Sequence, residues 1–145
     1  MPEPIQTYQN HVRYHAPFHY VFVPLMFINL IWSLVSLIWY PGASSLQGVL
    51  IAVLLAVVGF LARINALKAQ DRVIRLEEQL RYQRVLSPEG VQRAGALKPG
   101  QMIALRFASD EELPNLMQQT LEGRFAKSND IKLAIQQWRG DYLRV

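Results

Sequence analysis

From Tyr14 to Ala62 the chain carries no aspartate, glutamate, lysine or arginine, an uncharged run of 49 residues. No solvated loop has that composition, and a small soluble domain has too little core to bury such a run. Pro41-Gly42-Ala43-Ser44-Ser45 divides it with the chemistry of a tight turn. The first half, Phe18 to Tyr40, has Phe18, Tyr20 and Phe22 at one end and Trp39 and Tyr40 at the other. Rings at two headgroup levels are how membrane spans are anchored. Pro17 suits the first turn of a helix, and Pro24 predicts a kink that membrane helices tolerate. A cleaved signal peptide is the alternative for this segment, but its apolar stretch is too long and lacks a strongly positive flank.

The stretch Leu46 to Leu86 reads as one helix in two environments. It is uncharged to Leu61; from Arg63 to Arg84 it is charged, free of Pro and Gly, and keeps a helical apolar rhythm. At 1.5 Å per residue it is about 60 Å long, roughly twice the hydrocarbon thickness of a bilayer. A second span (about residues 46–62) that continues as an amphipathic stalk (63–86) follows. The turn between the spans has no basic residue, whereas Arg63, Lys68, Arg72 and Arg75 come directly after the second one. The positive-inside rule then puts the stalk in the cytoplasm, and two spans return the N-terminal segment (residues 1–17) to that side. With Arg13, these four cations are the expected contacts to anionic headgroups. The tail after Leu86 is nearly neutral, with eight basic and seven acidic residues. A nucleic-acid-binding domain concentrates positive charge, so nucleic acid is not an expected partner.

Inside the bilayer, Asn29, Ser33 and Ser36 share one face of the first span. Gly48, Ala52, Ala56 and Gly59 line the second. Small residues let helix backbones approach and polar ones bond across the contact, so these seven are the expected packing seam of a two-helix hairpin. The alternative is a pore or ion path lined by the Asn29 face in an oligomer. Along the stalk, Ala66, Ala69, Val73, Leu76 and Leu80 recur at steps of three and four. That stripe is expected to dock against the chain's own tail or a partner subunit, or to form a self-associating coiled coil. Glu77–Arg81 and Asp71–Arg75 read as i,i+4 pairs.

Ser87-Pro88 starts a fresh helix, with loop and turn predicted across Gly90, Gly95, Pro99 and Gly100. Short helices are expected over Gln101–Ala108, then from a Ser109/Glu112 capping box to Gly123. A last one is capped by Ser128 and turns Ile131, Ala134, Ile135 and Trp138 inward. No sheet is expected, and the tail (87–145) is small enough to need the stalk as part of its core.

Site chemistry is sparse. The chain has no cysteine. His11, His15 and His19 recur every four residues and are the candidates for a metal or haem. Pro17 interrupts a helix joining them, and interleaved tyrosines make interfacial anchoring the simpler reading. Asp110-Glu111-Glu112 sit where a helix dipole favours acids. No nucleophile motif, phosphate loop or metal-spaced set occurs, so no enzyme activity, cofactor or small-molecule substrate is expected. A helix-turn-helix reading of the late helices lacks a basic recognition helix.

Four groups of residues carry a resemblance. They are Asn10-His11, Arg13-Tyr14-His15 and Phe18-His19; Gln70 through Glu78; Ile103 through Asp110 with Pro114; and Trp138-Arg139 with Asp141-Tyr142. Together they resemble a family of small uncharacterised bacterial two-span membrane proteins, though Gly140 stands where Pro is expected. The resemblance implies a bacterial inner-membrane protein and transfers no catalytic residue. The fold expected is all-α: a transmembrane hairpin, a cytoplasmic stalk continuous with the second span, and a small helical C-terminal domain. The function expected is a non-enzymatic structural or accessory one, in a membrane complex or as a homo-oligomer. Lipids and either a second copy or another subunit are the partners; a channel component is the runner-up, and a haem- or metal-binding protein comes third.

Overall fold

In the computed structural model, which describes residues 6–11 and 14–142, the chain is helical. A π-helical turn, Pro17–Phe22, runs into α1 (Val23–Trp39). It is followed by α2 (Ala43–Val85), α3 (Pro88–Ala94), α4 (Pro99–Leu105), α5 (Leu113–Leu121) and α6 (Ser128–Ala134). Among the described residues there is no strand, only an isolated antiparallel bridge between Ala108 and Trp138. Residues 14–68 form one compact unit; residues 6–11 join 69–142 in the other. The single helix α2 belongs to both.

In the first unit the effect of Pro24 is a widened turn. Val23 N–H donates to the carbonyl of Phe18, five residues back, so the proline falls in the first turn of α1. The proline supplies no N–H to the helix, which continues through the wide turn to Trp39. The helices Pro17–Trp39 and Ala43–Val85 are long and apolar enough to cross a membrane, with only 11% and 6% of their apolar windows buried. Phe18 and Phe22 stack at 5.4 Å and meet Phe60 edge-on at 5.9 and 6.4 Å. The Phe22 ring covers Gly59 so closely that a Cβ there would overlap it. Glycine at 59 is what lets these segments touch.

The second unit has an apolar centre built from α2 and everything after it. Tyr82 of α2, Leu105, Phe107, Leu113 and Ile131 are its largest fully buried side chains. Ser87 accepts a bond from Gly90 N–H at 3.2 Å, the cap its sequence predicts for α3. The glycine-rich stretch that follows is more ordered than expected. Gly90 lies inside α3, and Pro99 and Gly100 open α4, which ends at Leu105 rather than Ala108. Gln101 holds Lys98 N–H at 2.8 Å, and Asp130 holds Lys127 N–H at the same distance. Ser128 is therefore the first helical residue of α6, not its cap, and its hydroxyl lies against Gly100. Gly123, with φ of +78°, ends α5 where a Cβ would be strained.

The last segment departs most from the sequence reading. The helix α6 stops at Ala134, and the chain beyond is extended, with Ser109 N–H donating to Gln137 and Arg139 N–H to Phe107. Trp138 therefore packs on Phe107, at 4.9 Å between centroids, from an extended segment and not from a helix. Phe107→Ala is expected to cost about 3–5 kcal/mol by leaving a cavity. Exposed Leu133→Ala should cost less than about 0.5 kcal/mol. Denaturant unfolding of the purified protein, followed by circular dichroism, checks both.

Candidate functional site

The charged groups of the second unit gather where α2 meets the end of α4. Arg81 has an almost fully buried side chain (3% exposed) and divides its donors among four acceptors. Its Nε donates to Asp110 at 2.7 Å and its Nη2 to the Ala108 carbonyl at 2.7 Å. Its Nη1 reaches Glu78 at 3.2 Å and the Arg106 carbonyl at 3.4 Å. The two carbonyls lie just past α4, so the guanidinium caps that helix from a neighbouring one. Glu78, 4% exposed, splits its oxygens between Arg81 and Arg139, each 3.2 Å away. Arg106 is buried, pairs with Asp141 at 3.1 Å, and lies 4.4 Å over the Phe107 ring.

Burial pushes the Glu78 carboxyl above its ordinary 4.5, and the two arginines pull it back only in part. Burial, with the Glu78 charge beside it, also pushes the Tyr82 phenol far above its ordinary 10. Tyr82 stays neutral, and its hydroxyl has no hydrogen-bond partner among the described residues. An open cleft of ≈ 560 Å³ lies next to this cluster. Glu78, Arg84, Arg106, Arg139 and Asp141 line it, and Leu80 contributes apolar surface. Both Glu78 oxygens are engaged and Asp141 is paired, so these two acids hold α2, α4 and the extended segment together, while exposed Glu77 also lines the cleft.

The segment before the first apolar helix is built into the same unit. Gln6 Oε1 accepts from Asp141 N–H at 2.7 Å, and Gln6 N–H donates to the Tyr142 hydroxyl at 3.4 Å. His11 is buried against Tyr8, Phe107 and Trp138, with centroids 5.4–5.8 Å apart. Its Nδ1 faces the Tyr8 carbonyl, which only accepts, so that nitrogen carries the proton. Nε2 is then left to accept from Lys132 Nζ at 3.1 Å.

The three histidines do not come together. His11 lies in this unit, whereas His15 and His19 belong to the other, where His19 Nδ1 bonds the His15 carbonyl at 3.0 Å. No group of three metal-ligating side chains occurs among the described residues. Within residues 14–68, Ser33 spends its hydroxyl on the Asn29 carbonyl of its own helix, at 2.8 Å. Asn29 is exposed and Ser36 half-buried, while Ala52 is buried, Ala56 half-buried, and Gly48 faces open space. Arg63 lies 5.7 Å over Phe18; Lys68 and Arg72 are exposed and Arg75 is half-buried. Arg13 lies outside the described residues.

Three expectations change. The tail packs on Ile74, Glu78, Arg81 and Tyr82, leaving Ala66, Ala69, Val73, Leu76 and Leu80 exposed. Arg81 pairs with Glu78 and Asp110 rather than Glu77. The acids at 110–112 do more than favour a helix dipole, since Glu112 also accepts from Gln136 and Gln137 N–H at 3.2 and 3.1 Å. It does not return a bond to Ser109 to close a capping box. Instead Ser109 Oγ alone accepts from Glu112 N–H, at 3.2 Å. The signal for the docking face was present as Ile74, Glu78 and Tyr82 at four-residue steps. A carboxylate in the middle disguised it as a solvated face.

A family model described as a family of unknown function, DUF6526, matches residues 1–145. No curated protein and no solved structure shows a significant match.

The raised Glu78 value has a consequence for stability. The folded protein holds this proton more tightly than the unfolded chain. The Glu78 contribution is thus full below pH 4.5 and lost as pH rises through the folded value. Glu78→Gln removes that loss. Its stability relative to the parent is expected to rise with pH from about 4.5, by up to about 1.4 kcal/mol per unit, and then level off. Unfolding midpoints of both proteins across that range check the sign.

Proposed function

The chain belongs to the DUF6526 family, and we propose that it is an integral membrane protein of two spans with both ends in the cytoplasm. Pro17–Trp39 and the first part of α2 form a transmembrane hairpin in a bacterial inner membrane. The rest of α2 projects as an amphipathic stalk. Its role is structural or accessory and non-enzymatic: it anchors a small helical domain at the membrane surface and offers an interaction face to a membrane complex or to further copies.

The observation that carries this reading is the packing of residues 6–11 into the unit formed by 69–142, through Gln6, Asp141, His11 and Trp138. Segments that share one folded unit lie on one side of a bilayer, so the apolar helices between them must leave that side and return. Two crossings satisfy this; one does not. The nearly unburied apolar surface of both helices calls for lipid rather than water. Arg63, Lys68 and Arg72 follow the second apolar run, while 41–45 hold no charge, the bias that places a stalk inside. Those cations are the lipid-headgroup contacts. The ion pairs of buried Glu78 and Arg81 and of exposed Arg139 fit a scaffold, because each of these charges joins segments.

The absence of cysteine makes topology directly readable. In intact cells with a permeabilised outer membrane, Ser44→Cys is expected to react with an impermeant maleimide. Exposed Gln9→Cys and Glu122→Cys should react only after the inner membrane is opened. Labelling of Gln9→Cys and Glu122→Cys from opposite sides, or recovery of the protein without membranes, would overturn the reading.

A further inference from the structure

The stalk carries two faces, and the protein's own fold uses one of them. Ile74, Glu78, Arg81 and Tyr82 are buried against the segments after α2. Val73, Leu76 and Leu80 are 52%, 61% and 61% exposed. At 100° per residue their stripe lies about 150° around the helix from the buried face. The folded tail therefore does not cover it. With Ala69 it runs in steps of four, three and four, the 3.5-residue repeat of a helix that packs along another helix.

The charges beside the stripe say which helix. With Val73 and Leu80 at the first core position of each heptad and Leu76 at the second, Arg72 and Glu77 fall on opposite flanks, five residues apart. That is the spacing at which flanking residues of two parallel, in-register copies meet across the seam. Each Arg72 would face the partner's Glu77, giving two opposite-charge pairs by symmetry. The next flanking pair, Gln79 with Arg84, brings no like charges together. Arg72 and Glu77 are both exposed and neither forms an ion pair within the described residues.

We propose that two copies of this chain associate in parallel through the Val73, Leu76 and Leu80 face of α2, with Arg72 of each copy paired to Glu77 of the other. The proposal rests on the two-span reading, which supplies the orientation. Two stalks leaving the same face of one membrane are parallel. Their confinement there also raises the effective concentration of a short seam above what it meets in solution. The repeat explains why apolar side chains stand exposed on a face that the chain's own tail leaves uncovered.

Cysteine cross-linking in native membranes tests it. Leu76→Cys and, separately, Leu80→Cys are expected to give a disulfide-linked homodimer on mild oxidation, and exposed Asp71→Cys, away from the stripe, is expected to stay monomeric. In the Leu76→Cys background, Arg72→Glu or Glu77→Arg should lower cross-linked dimer about tenfold, as two attractions become two repulsions, and combining them should restore it. Failure of both stripe cysteines to cross-link, adducts to a different protein, or a double swap that does not restore the dimer would each overturn the proposal. The maleimide pattern of Ser44→Cys, Gln9→Cys and Glu122→Cys is read on the same membranes. A monomer with the two-span pattern removes the dimer alone, while the opposite pattern removes the topology beneath it.

Discussion

Everything after α2 is tied to that helix by one buried cation. Arg81 could not sit at 3% exposure unless each face of its guanidinium found an acceptor, since an unpaired buried charge costs several kcal/mol. Glu78, Asp110 and the carbonyls of Arg106 and Ala108 supply those acceptors. They come from α2 itself, from the end of α4 and from the turn before α5. The ion cluster thus specifies where α4 ends against α2, and the apolar centre around Tyr82, Leu105 and Phe107 closes behind it. An ion pair of this kind adds little net stability over an apolar substitute of the same shape. What it contributes is register: in this placement of α4 on α2 the arginine's donors meet Glu78, Asp110 and the two carbonyls.

The extended segment 135–142 is placed by the same groups. Arg139 reaches Glu78, Glu112 holds the amides of Gln136 and Gln137, and Asp141 pairs with Arg106 while its amide bonds Gln6. Residues 6–11 then lie against that segment, with His11 among Tyr8, Phe107 and Trp138. Residues 6–11 and 135–142 are thus linked to α2 through a layer of polar contacts that begins at Arg81. For a chain with two long apolar helices in between, that linkage is what turns local packing into a statement about topology.

Features set by local chemistry were legible in the sequence. The long helix was expected over Leu46–Leu86 and runs Ala43–Val85; Ser87 caps α3 and Gly123 ends α5. Caps, turns and long apolar runs are decided within a few residues, so sequence reasoning reaches them. Features set by partners distant in sequence were not. Glu78 reads as a surface acid until Arg139, 61 positions away, is placed beside it. Asp110 and Glu112 look fully explained by a helix start, yet they answer to Arg81 and to the amides of 136–137. The helix α2 illustrates both cases: its apolar stripe was visible, but the tail packs on the opposite face, where the buried arginine finds its acceptors.

The packing of residues 6–11 on the extended segment 135–142 can be tested directly by chemical cross-linking. A double variant, Gln6→Cys with Tyr142→Cys, would be treated in native membranes with a membrane-permeant bis-maleimide long enough to span the lost tyrosine ring, and its gel mobility compared with each single variant. If the two segments share one unit on one side of the membrane, an intramolecular cross-link forms and the monomer migrates faster than either single variant. If both cysteines take up reagent singly and no cross-linked monomer appears, the two segments are apart and the account of this chain as a returning, two-span protein is wrong.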